Sequence, residues 1–343
     1  MSASVLVLYN EPVLPPHHPQ YEAERDVLDT VAECTAVLRE AGYAVRTLGL
    51  AHDLQPLLDE VRRQRPDAVF NLHEGVPESS VTEVQAAALL EWLGLPYTGC
   101  PARCLALGRD KAASKYLLRG AELPTPPFAL LDADDEPRWT GRYPLIVKPT
   151  FEDASIGIEQ DNVVTTPEQL PAAVARLRQH FAPPLLLEEL LPGREFHVNV
   201  LEIGPPAQRR LLVLPPGEIV FQPADPRWHP VYTYTAKWDT ASGEYQRCLV
   251  QAPVTLDPQL QHAIDHLARR AFRLFHCRDY ARLDIRLDAH GQPHILEVNP
   301  NPYLISLILV NALQAAGYSF EWLILELLRS ALDRAPRPAL TAT

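Results

Sequence analysis

Lysine is scarce in this chain of 343 residues, which contains 31 basic residues but only four lysines. Arginine has replaced lysine nearly everywhere, which is typical of a coding bias rather than of a functional choice. A lysine that persists in such a chain is more often one whose compact ammonium group on a flexible stem is needed. Lys111, Lys148 and Lys237 are therefore candidate functional residues, whereas Lys115 is interpreted as a surface lysine without a special role.

Features of several protein classes are also missing. No apolar run reaches the roughly 18 residues of a membrane-spanning helix, and the N-terminal segment SASVLVLYN lacks the basic flank of a signal peptide. The formal net charge of -12 argues against nucleic acid and anionic membranes as partners. Five cysteines, an odd number without a zinc pattern, predict ordinary thiols in a reducing compartment; they stand at positions 34, 100, 104, 248 and 277. We therefore expect a cytoplasmic protein with small-molecule partners.

The order of apolar and amphipathic runs predicts an α/β protein with two or three structural domains. Strand and helix patterns alternate over the first hundred residues, which predicts a parallel sheet with right-handed crossovers. Later runs predict a small central unit, with a strand near Ile156, and an antiparallel third unit in which YTYTAKW is strand-like. The predicted units are an N-terminal α/β domain (1–108), a central α+β unit (109–183), a C-terminal α+β unit (184–334) and a tail (335–343).

The segment 281–302, ARLDIRLDAHGQPHILEVNPNP, predicts a hairpin of two alternating strands. If Asp288 pairs with Pro293, Asp284 falls opposite Glu297, and one face presents Asp284, Glu297 and Asn299 beside Arg282. Hard oxygen ligands on a rigid hairpin suit Mg²⁺, which prefers carboxylates together with phosphates and waters. The alternative is a solvated polar face, which most alternating strands have.

Several short motifs stand in a fixed order along the chain. They are LHEG, GLPYTG, the Asp110-Lys111 pair, LIVKP, the acidic pair before GREF, the AK of the aromatic segment, and RLD…LEVNPNP. With these motifs the chain resembles the ATP-grasp superfamily, and within it the D-alanine–D-alanine ligase-like branch, over roughly residues 5 to 330. The resemblance implies a three-domain ATP-grasp fold, and members of this branch are commonly homodimers.

The resemblance also implies an activity and a set of site residues. The activity is an ATP- and Mg²⁺-dependent ligation of a small-molecule carboxylate to an amine through an acyl phosphate, with two Mg²⁺ ions that Mn²⁺ can replace. The implied metal ligands are Asp284, Glu297 and Asn299. The implied nucleotide contacts are Lys111, Lys148, Glu188, Glu189, Leu190, Leu191, Glu195 and Lys237. The implied catalytic residues are Arg282 at the tetrahedral oxyanion, Lys237 at the γ-phosphate, His73 near the first substrate, and Ser155 in the phosphate loop.

The chain departs from the family pattern where the amino-acid substrates bind. Ala154 replaces a serine that organises the amino-acid site, and Trp238 replaces the tyrosine paired with that serine. Tyr303 lies in a rewritten turn after the magnesium motif, and Ile308 replaces the serine that receives the acceptor carboxylate. We therefore expect a bulkier or less charged nucleophile than D-alanine.

Other assignments stay open from the sequence alone. Glu78 matches an acidic residue that supports the substrate region, and either Glu24 or Asp26 stands where the family has an acid facing the donor amino group. A structural turn is the alternative for His73. The alternative functions are a genuine D-alanine–D-alanine ligase with an atypical acceptor site, a non-catalytic nucleotide-binding protein, and a kinase that stops after phosphoryl transfer.

Overall fold

A small parallel sheet begins the chain. The computed structural model describes residues 2–15, 17–18, 21–76, 81–152, 154–222 and 228–335. The first elements are β1 (Ser4–Asn10), α1 (Tyr21–Arg25), α2 (Val27–Glu40), β2 (Ala44–Leu50), α3 (Gln55–Arg63), β3 (Ala68–Leu72), α4 (Val81–Trp92) and α5 (Ala102–Arg109). The strand order is β2-β1-β3 and both pairings are parallel. The predicted alternation of strands and helices is confirmed here.

The central unit is a four-stranded antiparallel sheet. Its elements are α6 (Lys111–Gly120), β4 (Phe128–Leu131), β5 (Leu145–Pro149), β6 (Val163–Val164), α7 (Leu170–Arg178) and β7 (Leu185–Glu189). The strand order is β4-β7-β5-β6. Because β7 pairs with β4 and β5, the central sheet extends past the predicted boundary at residue 183. We propose that the boundary lies within residues 190–194.

The prediction of a strand near Ile156 is wrong. Residues 154–157 form a turn, in which Ala154, Ser155 and Gly157 have φ values of 48°, 65° and 73°. These values lie in the left-handed region, which a β-strand does not occupy. The loop after β5 therefore leaves the sheet instead of extending it.

The C-terminal unit is a six-stranded sheet with helices. Its elements are β8 (Glu195–Ile203), β9 (Arg210–Val213), β10 (Gly217–Phe221), α8 (Tyr234–Trp238), α9 (Gly243–Arg247), β11 (Cys248–Gln251), α10 (Pro258–Leu274), β12 (Tyr280–Leu287), β13 (Pro293–Pro300), α11 (Leu307–Ala315) and α12 (Phe320–Asp333). The strand order is β11-β10-β8-β12-β13, and β9 pairs with β8. The prediction of a strand at YTYTAKW is wrong, because the Thr233 hydroxyl caps a short helix by accepting from the Ala236 amide at 3.0 Å.

The β12–β13 hairpin confirms the predicted pairing of Asp284 with Glu297. The turn is shifted by one residue from the prediction, since Leu287 and not Asp288 pairs with Pro293. A β-bulge absorbs the difference: Ile285 pairs with Ile295, which leaves Leu296 as the extra residue. The bulge turns both Leu296 and Glu297 toward the same pocket.

One buried apolar cluster joins the N-terminal and C-terminal sheets. Leu6 of β1, Cys104 of α5, Phe272 of α10 and Leu283 of β12 all belong to it. This shared core holds the two sheets as one scaffold, from which the loops and strand faces of the pocket project. Among the described residues, no single helix is long and apolar enough to cross a membrane; the pair α11 and α12, bent by 95°, passes that test only by length and composition.

Candidate active site

A pocket between the central and C-terminal sheets collects most of the residues singled out in the sequence. The predicted residues that line it are Lys111, Lys148, Ala154, Ser155, Glu188, Glu189, Leu190, Leu191, Glu195, Lys237, Arg282, Asp284, Glu297, Asn299 and Ile308. They come from both sheets, from the loops after β5 and β7, and from α6, α8 and α11. Of the other predicted site residues, His73, Trp238 and Tyr303 are not part of this lining, and Glu78 lies outside the described residues.

The hairpin places Asp284, Asn299 and Glu297 on one face. Asp284 accepts from the Arg282 Nε at 2.7 Å and Nη2 at 3.0 Å, and from the Asn299 Nδ2 at 3.0 Å. Burial alone would raise the pKa of Asp284, but Arg282, His197 and Lys237 together outweigh burial and the pKa falls to about 2. The Glu297 carboxylate lies 3.4 Å from the Lys111 Nζ. This set of two carboxylates and an amide oxygen fits the hard donors that Mg²⁺ requires.

Lys115 is not the surface lysine that the sequence suggested. Its side chain is buried, and its Nζ donates to the Glu188 Oε1 and to the Thr125 hydroxyl, both at 2.8 Å. Lys148 binds the other oxygen of the same carboxylate at 2.9 Å. Burial alone would raise the pKa of Glu188, but the two ammonium groups lower it. Glu188 therefore joins two lysines, one facing the pocket and one behind it.

A second buried ion pair lies farther along the pocket floor. The Arg286 Nη1 donates to the Glu195 Oε2 at 2.9 Å, and both side chains are almost fully enclosed. Burial raises the pKa of Glu195 in spite of this arginine. Arg286 was missed as a site residue, although it follows Arg282 and Asp284 at the spacing of two that places residues on one strand face.

His197 is another pocket residue that the sequence did not bring forward. It lies on β8 opposite Asp284, and its Nε2 is 3.7 Å from the Asp284 Oδ1. Burial lowers the pKa of His197 to about 4, so the ring is neutral at pH 7. The spacing of two from Glu195 was the available signal, since both side chains share one face of the strand.

The loop after β5 and the loop that carries α8 close against each other over the pocket. The Ser155 hydroxyl donates to the Tyr232 carbonyl at 3.0 Å, and the Tyr234 amide donates to the Ile158 carbonyl at 3.0 Å. The Trp238 indole donates to the Ala154 carbonyl at 3.3 Å. The Trp238 side chain itself does not line the pocket, contrary to its prediction as a substrate residue, because it faces this loop contact.

His73 also lies outside the pocket. It is buried, and its Nδ1 accepts from the Gly75 amide at 3.3 Å. Burial lowers the pKa of His73 to about 4. The ring lines a small separate cavity beside Asn301 and Pro302. The tight turn that follows β3 holds the imidazole there, and the role of His73 near the first substrate stays a prediction.

The structure distinguishes the two acidic candidates of the N-terminal unit, Glu24 and Asp26. Glu24 accepts from the backbone amides of Val13 and Leu14, each at 2.8 Å, so a local loop occupies its carboxylate. Asp26 instead forms a hydrogen bond with Tyr303, whose pKa is raised by burial and by this carboxylate. Tyr303 thus contacts Asp26 and does not line the pocket, although it was predicted as a substrate residue. Glu78 lies outside the described residues.

Comparisons with known proteins agree with this geometry. A family model described as "D-ala D-ala ligase C-terminus" matches residues 117–329. An uncharacterised protein of Sinorhizobium fredii is 33% identical over 90% of this chain and 88% of its own length. A D-alanine–D-alanine ligase of Alcanivorax borkumensis is 34% identical over 87% of this chain and 90% of its own length. The chain belongs to the D-alanine–D-alanine ligase family.

Solved structures support the same fold at lower identity. The D-alanine–D-alanine ligase from Bacillus anthracis complexed with ATP has a TM-score of 0.73 at 18% identity and covers 96% of this chain and 98% of its own. The D-alanine–D-alanine ligase from Coxiella burnetii has a TM-score of 0.70 and covers 97% and 95%. The fold is therefore the ATP-grasp fold. As a family member the chain is an ATP-dependent ligase that forms carbon–nitrogen bonds from small-molecule carboxylates and amines and uses ATP and Mg²⁺.

Proposed function

We propose that this enzyme joins a small carboxylic acid, of the amino-acid type, to an amine that is larger or less charged than D-alanine. The carboxylate attacks the γ-phosphorus of ATP and gives an acyl phosphate, from which the amine then displaces phosphate to leave an amide. The free thiols suit a reducing cytoplasm, which we propose as its compartment.

The chain's own residues supply positioning and charge for both steps. Lys111, Lys148 and Lys237 would neutralise the phosphates, and Asp284, Glu297 and Asn299 would hold Mg²⁺. Bound Mg²⁺ supplies charge neutralisation on the transferring phosphoryl group. Arg282, fixed by both oxygens of Asp284, would stabilise the negative charge that develops on the carbonyl oxygen.

Closure of the two loops supports this assignment, because an acyl phosphate is readily lost to water. The contacts from Ser155 and Trp238 tie the loop after β5 to the α8 loop without needing the side chain at position 154. Closure of these loops over bound substrates would exclude water and strengthen the electrostatic interactions in the pocket.

The observation that carries the choice of acceptor is the position of Ile308. This side chain lines the pocket with Ile219, Val250 and Leu307, and it packs so closely on Gly217 that a Cβ there would lie 2.7 Å from the Ile308 Cγ2. An acceptor carboxylate beside this apolar wall would lose water without gaining a hydrogen bond from the isoleucine, which is strongly unfavourable. A masked carboxylate or an apolar substituent suits the same wall.

A D-alanine–D-alanine ligase is the second candidate, because curated relatives of that name match most of the chain. Purified enzyme incubated with ATP, Mg²⁺ and amino acids, singly and in pairs, distinguishes the two by ADP release and by mass spectrometry of the products. We expect little D-alanyl-D-alanine and a clear amide product from another pair. Robust D-alanyl-D-alanine synthesis at ordinary D-alanine concentrations would establish the second candidate, and a phosphorylated product without an amide would indicate a kinase.

A matched pair of variants tests the acceptor wall directly. Ile308→Ser introduces a hydroxyl into the pocket, whereas Ile305→Ser makes the same change at a partly exposed residue outside the lining. Ile308→Ser should raise the use of D-alanine as acceptor and weaken the use of the natural amine, and Ile305→Ser should change neither. An unchanged acceptor preference in Ile308→Ser contradicts the proposed role.

A further inference from the structure

Three cysteines that were predicted to be ordinary thiols lie together in one buried cluster. Cys100 and Cys104 lie at the start of α5, and Cys277 follows α10. The three Sγ atoms all lie within 4.8 Å of one another, and those of Cys104 and Cys277 are 3.6 Å apart. Sequence spacing could not reveal this arrangement, because 173 residues separate Cys104 from Cys277.

Backbone groups surround the sulfur of Cys100 within the cluster. The Arg278 amide donates to the Cys100 sulfur at 3.4 Å. The Cys100 thiol also faces the carbonyls of Arg278 and Tyr280, at 3.3 Å and 3.5 Å. These backbone contacts hold the Cys100 sulfur beside the sulfurs of Cys104 and Cys277.

A basic cleft gives access to this cluster. Cys277 contributes to its lining together with five arginines and two glutamates: Arg103, Arg209, Arg210, Arg273, Arg278, Glu91 and Glu202. The excess of positive charge would offset the negative charge of a metal bound by three thiolates. It would also attract the anionic thiol complexes in which soft cations are carried in solution.

We propose that Cys100, Cys104 and Cys277 form a binding site for one soft monovalent cation, Cu⁺, held by three sulfur ligands. At a metal–sulfur distance of about 2.3 Å, three sulfurs around one cation lie about 4 Å apart, so the observed spacing needs only small side-chain movements. Thiolate ligands select Cu⁺, zinc and iron–sulfur clusters. Among the residues that the structure describes the cluster has three members, which suits trigonal Cu⁺ better than tetrahedral zinc with its four ligands.

Binding exchanges protons for the metal without any change of oxidation state. Cu⁺ leaves a thiol carrier, forms three bonds to sulfur, and the thiol protons of the cluster pass to the carrier and to water. The bound cation would link α5 to the segment that follows α10, and so the N-terminal unit to the C-terminal sheet.

Anaerobic titration of the full-length protein with Cu⁺, in competition with bathocuproine disulfonate, tests the site. Wild-type protein should bind one Cu⁺ per chain. Cys104→Ser should weaken binding by more than about 100-fold, since loss of an outer partner of a metal ligand already costs about 10–100-fold. Cys34→Ser is the matched control, because Cys34 is equally buried but lies on α2 outside the cluster, and its Cu⁺ affinity should equal that of wild type.

X-ray absorption of the wild-type complex keeps the test independent of how the variants fold. Three sulfur scatterers at about 2.3 Å are expected, with no light-atom ligand. Nitrogen or oxygen ligands, the absence of stoichiometric binding, or equal affinity in Cys104→Ser and Cys34→Ser would each overturn the proposal.

Discussion

Replacement of Lys115 by methionine should destabilise the protein although the residue does not line the pocket. The change keeps the length of the side chain and removes the ammonium group that binds Glu188 and Thr125. Loss of one partner from a buried ion pair costs about 3–5 kcal/mol. Because Lys148 still binds the Glu188 carboxylate at 2.9 Å, we expect the low end, about 3 kcal/mol.

Thermal unfolding monitored by circular dichroism measures this loss. At about 2 °C per kcal/mol for a chain of this size, Lys115→Met should lower Tm by about 6 °C. Arg138→Met is the control, since Arg138 pairs with Glu136 at the surface, where both side chains are more than two-thirds exposed. Exposed pairs contribute about 0–1 kcal/mol, so that variant should unfold close to the wild-type temperature.

A double-mutant cycle with Glu188→Gln tests the reason for the loss of stability. Glu188→Gln removes the charge that binds both ammonium groups. Lys115→Met should therefore cost less stability in the Glu188→Gln background than in the wild-type protein. A Tm for Lys115→Met within 1 °C of wild type, or an equal cost of Lys115→Met in the wild-type and Glu188→Gln backgrounds, would refute the assignment of a buried charge network.

Three further predictions concern the pocket itself. Glu297→Gln should abolish turnover at modest Mg²⁺ while circular dichroism stays unchanged, because it weakens a metal ligand on an intact strand; wild-type turnover would remove Glu297 from the metal site. Lys237→Ala should lower kcat far more than it weakens ATP binding measured by calorimetry, whereas equal losses would mean that Lys237 contributes to ground-state binding. The folded pKa of Asp284 is about 2 and its ordinary value is 3.8, so its stabilising effect is complete above pH 4 and is lost as the pH falls toward 2. Asp284→Asn should accordingly flatten the acid branch of the unfolding curve, and an unaltered branch would contradict the depressed pKa.

The metal hairpin could be predicted from sequence because its information is local. Alternation with a period of two places Asp284 and Glu297 on one face whatever lies around them, and their pairing was correct even though the turn was off by one residue. The bulge at Leu296 could not be predicted, since nothing in the alternation of polar and apolar residues marks an extra residue. The roles of these side chains as metal ligands remain predictions.

Residues whose importance depends on distant partners were missed for a physical reason. Lys115 looks like any exposed helical lysine until the tertiary fold places Glu188 of another element 2.8 Å from its ammonium group. The short helix at Tyr234–Trp238 was taken for a strand because its aromatic residues have high strand propensity, whereas the cap from Thr233 decides the local conformation.

The two halves of the pocket can depart from the family pattern to different extents, because their side chains are held in place by different contacts. Asp284 and Glu188 lie on paired strands. A change at Asp284 would leave the partly buried Arg282 without its carboxylate, and a change at Glu188 would remove the carboxylate that Lys115 and Lys148 share. The acceptor wall rests on the start of α11, where Ile308 contacts Gly217 through apolar surface alone. The loop contact from Trp238 reaches a main-chain carbonyl, so closure over the pocket does not depend on the side chain at Ala154. On the proposed assignment, substitutions in the acceptor wall alter substrate choice while the half of the pocket proposed for phosphoryl transfer keeps its ion pairs and its geometry.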